Sequence, residues 1–174
     1  MRTLVSGLIV ASAFWLHAQT GLVTNGQFSA ADDGPTWPEA WTAAAPAGKR
    51  FSWVNIDGFG SNDSLAVDAA QGTATDTVMQ TVSCATRTQY VLVAALKGSA
   101  ACTAVVEVLD PKSGTVLAAV RSGAGETWAL ASRRFNSGGN ETLQVRLSAV
   151  GAEGKGALDA VQIYGADAVP DDLV

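Results

Sequence analysis

The sequence predicts an all-β fold, an antiparallel β-sandwich of the jelly-roll type. Its 174 residues include 18 glycines, which together with Asp, Asn and Ser separate short apolar segments. One segment, residues 142–149, alternates apolar and polar side chains, as a strand with one buried and one wet face does. No stretch of about a dozen residues has helical spacing of apolar side chains without glycine interruptions. Short strands joined by turns are typical of sandwiches and jelly rolls.

Ten strands are predicted, each a run of four to nine residues between turn-forming residues. The first strand ends at an Asn25-Gly26 turn. Between the sixth and seventh strands, Pro111 presets φ at the first corner of a turn and Gly114 accepts a positive φ before the chain returns. In chain order, the predicted strands are residues 21–24, 50–56, 64–68, 76–84, 89–97, 103–110, 116–121, 128–135, 142–149 and 157–164.

The two cysteines, Cys84 and Cys102, are predicted to be packed thiols. Cys84 ends the fourth strand, and Cys102 precedes the sixth, so a full strand runs between them. At about 3.3 Å per residue, this places the sulfurs at opposite ends of a sheet, whereas a disulfide needs Cα atoms within about 7 Å. A disulfide is the alternative, because exported chains favour one.

The first 18 residues resemble a secretory signal peptide. Arg2 supplies a positive start, residues 4–16 are apolar or small, and Ala18 offers a small residue for cleavage, with Ala13 as a rival site. The alternative is a buried N-terminal helix. Residues 19–165 are predicted to form one domain, and residues 166–174 a flexible tail or linker stub. We therefore expect a secreted, periplasmic or cell-surface protein with no membrane span, since no other apolar run approaches the ~20 residues that a span needs.

Composition excludes several function classes. The net charge of −5 argues against a nucleic-acid partner, which would require clustered Lys and Arg. The single histidine, His17, lies in the predicted signal, so the mature domain has neither a Ser-His-Asp triad nor a histidine metal site. Carboxylates such as Asp57, Asp63 and Asp110 are scattered through turns. The sequence therefore predicts a protein that is not an enzyme.

A set of short motifs, spread along the predicted domain, resembles jelly-roll carbohydrate-binding modules of the galactose-binding-domain-like group, such as families 4, 9 and 22. The motifs are Leu22-Val23-x-Asn25-Gly26-x-Phe28, Pro38…Trp41, Gly60-Ser61-x-x-Ser64-Leu65, Gln80-x-Val82, Tyr90-x-Leu92 before Lys97-Gly98, Trp128…Ser132…Phe135 and Leu158-Asp159-x-Val161. The resemblance implies binding to a polysaccharide or oligosaccharide. It also implies a fused or associated glycan-active enzyme as partner.

The same resemblance implies one structural calcium ion. Family members commonly hold it with an acid just after the opening Phe, backbone carbonyls and an Asp of the closing strand. Here Asp159 matches the closing position, and carbonyls near Asn25 are the other expected ligands. Ser29 stands where the family tends to place the acid, which removes one of the carboxylates that calcium prefers.

Sugar recognition in such modules rests on aromatic rings flanked by amides and charges. Trp37 lies in a Gly/Pro loop, and Trp53 shares a strand face with Asn55 that is exposed if Val54 and Ile56 are core. Gln144 and Arg146 on the wet face of the ninth strand are candidate donors. The predicted ligand-binding residues are therefore Trp37, Trp53, Asn55, Gln144 and Arg146.

Each of these residues also has a structural interpretation. The two tryptophans could form a second core layer, and the polar residues could simply line a solvated face. The most favoured function is a secreted, non-catalytic carbohydrate-binding module. The alternative is a structural or adhesive extracellular β-sandwich with a protein partner, which the many alanines at strand positions favour.

Overall fold

Two five-stranded antiparallel sheets pack face to face in the computed structural model, which describes residues 21–29, 38–43 and 50–169. The first sheet has the strand order β1-β4-β9-β6-β7, and the second has the order β2-β3-β10-β5-β8. The strands are β1 Thr42–Ala43, β2 Phe51–Val54, β3 Ser64–Asp68, β4 Val78–Ser83, β5 Gln89–Lys97, β6 Thr103–Leu109, β7 Val116–Arg121, β8 Ala129–Asn136, β9 Thr142–Val150 and β10 Lys155–Gly165. The predicted all-β sandwich is confirmed.

Nine of the ten predicted strands are present, and the exception is the first. Residues 21–24 form bends and turns instead, although Leu22 donates a backbone hydrogen bond to Ile163 of β10. Side-chain amides replace strand partners here. The Gln162 Oε1 accepts from the Val23 N–H at 3.3 Å, and the Gln80 Oε1 accepts from the Thr24 N–H at 2.8 Å. Sequence alternation cannot show that glutamine side chains will take these hydrogen bonds.

The opening segment serves the core. Phe28 is fully buried, and its ring lies 5.3 Å from the ring of Trp41, whose indole donates to the Asn25 carbonyl at 3.0 Å. At Gly26 the chain approaches β10 so closely that an added Cβ would collide with the Val161 carbonyl. The Asn25-Gly26 turn is therefore a packing requirement of this end of the sandwich.

The assignment of faces on β2 predicted from the sequence is wrong. Phe51 is buried and Trp53 packs against the core, whereas Ile56 is 86% exposed. In register, Trp53 lies opposite the buried Leu65 of β3, so it must face inward with its partner. The Trp53 indole donates to the Phe28 carbonyl at 2.7 Å, which satisfies its N–H within the fold.

Cys84 and Cys102 are both free, as predicted. They flank opposite ends of β9, because Ser83 pairs with Thr142 and Thr103 pairs with Val150. The eight residue steps between these ends span about 26 Å. The predicted separation of the two cysteines, which is too large for a disulfide, is confirmed.

The folded unit extends beyond the predicted boundary at 165. Ala166–Ala168 form a 3-10 helix, and Ala166 and Val169 pack on Val91, Val93 and Tyr164 at the outer face of the second sheet. The predicted signal peptide and residues 170–174 lie outside the described residues. Within the described part of the chain, no helix is long and apolar enough to cross a membrane.

Candidate functional site

A groove lies on the outer face of the second sheet. Its floor is a row of side chains in register across four strands, Ser52 of β2, Ala66 of β3, Ala157 of β10 and Lys97 of β5. Two alanines in the middle of the row leave a depression with a volume of about 530 Å³. Since neighbouring strands are about 4.8 Å apart, the four-strand floor is about 14 Å long.

The walls of the groove carry both apolar and charged groups. Val54, Ile56 and Asp57 form one wall, in the segment where β2 ends and the chain turns back over the sheet. Asp68 and Lys155 lie directly opposite each other in register at the other side, and Glu126 completes this wall. Among the described residues, the lining thus holds three acidic and two basic side chains.

An aromatic pair lies beside the groove, next to the lining residues Asp57 and Lys97. Trp128 directly precedes Ala129, which pairs with Leu96, so Trp128 lies beside Lys97 on the outer face. Its half-buried ring lies 6.4 Å from the ring of Phe59, at an interplanar angle of 59°. Tilted pairs of this kind are favourable because the edge of one ring meets the face of the other. Part of the indole surface thus remains available beside the groove.

Asp57 connects the charged wall to the aromatic pair. Its Oδ2 lies 2.7 Å from the Lys97 ammonium, and its Oδ1 accepts from the Trp128 indole at 3.1 Å. The hydrogen bonds from Lys97 and then from Trp128 lower the pKa of the Asp57 carboxyl below its ordinary value. At neutral pH, the Asp57 carboxylate therefore offsets the charge of Lys97 where the two line the groove.

Beneath this wall, Asp159 holds the segment that follows β2. Its buried carboxylate accepts from the Phe59 N–H at 2.7 Å and from the Ala160 N–H at 2.6 Å. Burial is the largest effect on this group and raises the pKa of Asp159 to about 6, although the two backbone hydrogen bonds oppose it. Asp159 thus anchors Phe59 to β10 from inside the fold.

We expect Asp159 to make stability depend on pH. Because its folded-state pKa lies above the unfolded value of 3.8, the protonated form contributes stability below about pH 4 that is lost as the pH rises through about 6. A change from 3.8 to about 6 corresponds to about 3 kcal/mol. Between pH 4 and 7, the unfolding free energy of the wild type should therefore fall relative to Asp159→Asn, as urea denaturation with a chelator present will measure. Parallel pH profiles would contradict this expectation.

The two predicted calcium ligands are engaged with the protein. Both Asp159 oxygens accept backbone N–H groups, and the Asn25 amide donates to the Ser29 and Glu39 carbonyls at 2.9 and 3.5 Å. These carbonyls thus already have a neutral donor. Among the described residues, no group of three or more His, Cys, Asp or Glu side chains is placed to hold a metal. The calcium ion that the family resemblance implies stays a prediction, because its expected ligands include backbone carbonyls near Asn25 as well as Asp159.

Because both Asp159 oxygens already accept backbone N–H groups, we expect added calcium to leave stability unchanged. The melting temperature should agree within about 2 °C in excess calcium and in excess chelator, because an ion that binds only the folded state would shift it by several degrees. Differential scanning fluorimetry in the two buffers measures this, with magnesium as the control for ionic strength. A rise with calcium alone would contradict the expectation.

The four predicted ligand-binding residues that the structure describes lie on different faces and sheets. Trp53 faces the core, while Asn55 is exposed just beyond β2. Gln144 and Arg146 lie on β9 of the other sheet, where Arg146 pairs with Glu107 through Nε at 3.0 Å and Nη2 at 2.8 Å. Trp37 lies outside the described residues.

Asp57 and Lys97 of the groove, and Trp128 beside it, are not among the ligand-binding residues predicted from the sequence. Alternation along β5 could have placed Lys97 on the face opposite the apolar Leu96, and the same argument applies to Trp128 before β8. Nothing in the sequence indicates that Asp57 reaches both of them, because that contact depends on how the segment after β2 folds over the sheet.

Solved structures share this fold at low sequence identity. TmCBM61, solved in complex with β-1,4-galactotriose, has a TM-score of 0.59 and 11% identity, covering 83% of this chain and 98% of that one. The C-terminal family 22 carbohydrate-binding module of Clostridium thermocellum Xyn10B has a TM-score of 0.60 and 14% identity, covering 87% and 99%. The enzymatically active domain of bacteriophage CBA120 tailspike protein 4 has a TM-score of 0.58 and 16% identity, covering 83% of this chain but only 21% of that one.

No protein-family profile matches the sequence, and no curated protein matches it significantly. The structural similarities therefore establish the architecture of the chain. They do not identify a ligand. This chain is a jelly-roll β-sandwich with the fold of carbohydrate-binding modules.

Proposed function

We propose that this protein is a secreted, non-catalytic module that binds a polysaccharide or oligosaccharide in the groove of the second sheet. The observation that carries the proposal is the Phe59–Trp128 pair beside an open groove, in which Trp128 is hydrogen-bonded to the lining residue Asp57 and Asp57 is paired with Lys97. The shared fold with modules such as TmCBM61 supports it. The proposed export and an associated glycan-active enzyme follow the sequence expectations.

The chemistry of the groove suits a sugar chain. A pyranose presents C–H groups on its faces and hydroxyls around its edge, so it needs an apolar ring beside hydrogen-bonding groups. Trp128 supplies the ring, while the Lys97 ammonium supplies a donor for hydroxyls. Because the Trp128 ring already packs on Phe59 and its N–H is already bonded, little side-chain freedom is lost on binding.

The shape and charge of the groove indicate which class of glycan it can bind. A floor that crosses four strands fits a chain of several sugars rather than one. Asp57 offsets Lys97, Asp68 faces Lys155 in register, and Glu126 leaves an acidic excess in the lining. An anionic glycan would therefore meet net repulsion, so the proposed ligand is an uncharged glycan.

Affinity electrophoresis against a panel of neutral polysaccharides, each paired with its carboxymethyl derivative, tests the proposal. Retardation by a neutral glycan, weakened in its charged partner, is expected. Ala66→Gln should abolish it by filling the floor, whereas Ala119→Gln, a half-buried alanine on the outer face of the first sheet, should not. Absence of retardation by every glycan, or equal effects of the two variants, would overturn the proposal.

One observation favours the alternative, an adhesive β-sandwich with a protein partner. Ile56 is 86% exposed at the wall of the groove, and Leu130 of β8 is 40% exposed on the same outer face. Exposed aliphatic side chains are common at protein interfaces. This second function replaces the first if no glycan binds, the wild type captures a purified cell-envelope protein, and the Ile56→Ser variant does not.

A further inference from the structure

We propose that Asp57 is the positioning residue of the groove, which fixes the Trp128 ring in the orientation that a glycan meets. This inference rests on the proposed function. It assigns to Asp57 a role carried out through another side chain, distinct from direct contact with the sugar.

The contacts of Asp57 come from three separate parts of the second sheet. One carboxylate oxygen accepts the Trp128 indole N–H at 3.1 Å, and the other lies 2.7 Å from the Lys97 ammonium. The Asp57 carbonyl accepts from the Ser64 hydroxyl at 2.6 Å, which ties the backbone to the start of β3. A carboxylate held at its backbone and at both oxygens has a defined position, so it can define the position of the indole.

Trp128 lies at an edge of the second sheet, where a hydrogen bond can set the orientation of its ring. It stands at the start of the edge strand β8, after a connection that contains Gly123 and Gly125. Side chains added at these glycines would meet open space or only the Thr127 hydroxyl at 3.7 Å, so the Cβ side of both glycines is open. The ring also packs against Phe59 as a tilted pair. The hydrogen bond that the indole N–H donates to the Asp57 carboxylate therefore gives the ring a directional restraint.

The competing explanation is that Asp57 acts by touching the glycan itself. The two explanations differ in a double-mutant cycle. If Asp57 acts through Trp128, its removal has no further effect once the indole is gone, whereas direct contact gives losses that add. They differ also in the ligand-free protein, since only positioning changes the environment of the indole N–H before any sugar is present.

The experiment uses Asp57→Ala, Asp57→Asn, Trp128→Ala and the double variant Asp57→Ala/Trp128→Ala. The asparagine retains an acceptor for the indole but not the charge. We expect Asp57→Ala to weaken binding of the retarding neutral glycan about tenfold, Asp57→Asn to retain most of the affinity, and the double variant to equal Trp128→Ala. In ligand-free NMR spectra, the indole N–H resonance of Trp128, identified by its loss in Trp128→Ala, should move in Asp57→Ala and remain near its position in Asp57→Asn.

Additive losses in the cycle, or an unmoved Trp128 resonance in Asp57→Ala, would overturn the positioning role. Asp57 is solvent-exposed, so these variants should fold, and circular dichroism melting verifies this. If the wild type binds no glycan, the proposed function fails, yet the indole resonance still decides whether Asp57 orients Trp128. The two failures are thus distinguishable.

Discussion

Replacing Phe28 with alanine is expected to lower the free energy of unfolding by about 3–5 kcal/mol. Phe28 is fully buried, packs against Trp41 and offers its carbonyl to the Trp53 indole. Its loss would leave a cavity between the opening segment and the two sheets, and the positive φ of 52° at this position limits how the backbone can relax. Urea denaturation followed by fluorescence measures the change.

Ile56→Ala is the matched control, because Ile56 is 86% exposed and its truncation should change stability by less than about 0.5 kcal/mol. Equal effects of the two substitutions would mean that the opening segment is not part of the core.

Replacing Trp128 with alanine is expected to weaken glycan binding at least tenfold while leaving the fold intact. An aromatic anchor that a ligand covers typically contributes about 2 kcal/mol, and each 1.4 kcal/mol is about tenfold in affinity. Trp128 is half-buried on the outer face, away from the core cluster, so truncation should cost little stability. Isothermal titration calorimetry with the retarding glycan measures the loss.

Trp53→Phe provides the contrasting control for this tryptophan. It retains an aromatic ring inside the sandwich but removes the hydrogen bond to the Phe28 carbonyl, so it should reduce stability without changing affinity. A large loss of affinity in Trp53→Phe, with Trp128→Ala unaffected, would restore the site predicted from the sequence.

Most of the fold could be predicted from the sequence because strand alternation is a local property. Residues 142–149 form part of β9 with Leu143, Val145 and Leu147 buried, as the period of two predicts. The faces of β2 could not be predicted in the same way. Phe51, Trp53, Val54 and Ile56 offer apolar residues to both sides, so only pairing with β3 decides which side is core.

The site was harder to predict because the groove depends on small side chains that leave space, and these come from distant parts of the chain. Ala66 and Ala157 come from distant parts of the chain and form a floor only through pairing across β3 and β10. The alanine-rich composition, which favoured a structural role at the level of sequence, here opens the space beside Trp128 and Lys97. The aromatic and polar residues are visible in the sequence, but their assignment to one sheet face depends on strand pairing.

Chemical-shift mapping of the labelled protein during titration with its glycan tests the central claim most directly. We predict that the resonances that move are those of Asp57, Lys97 and Trp128, together with neighbours on the outer face of the second sheet. Gln144 and Arg146 on the outer face of the first sheet serve as internal controls and should not move. Shifts centred on these two residues, with the groove unaffected, would contradict the account.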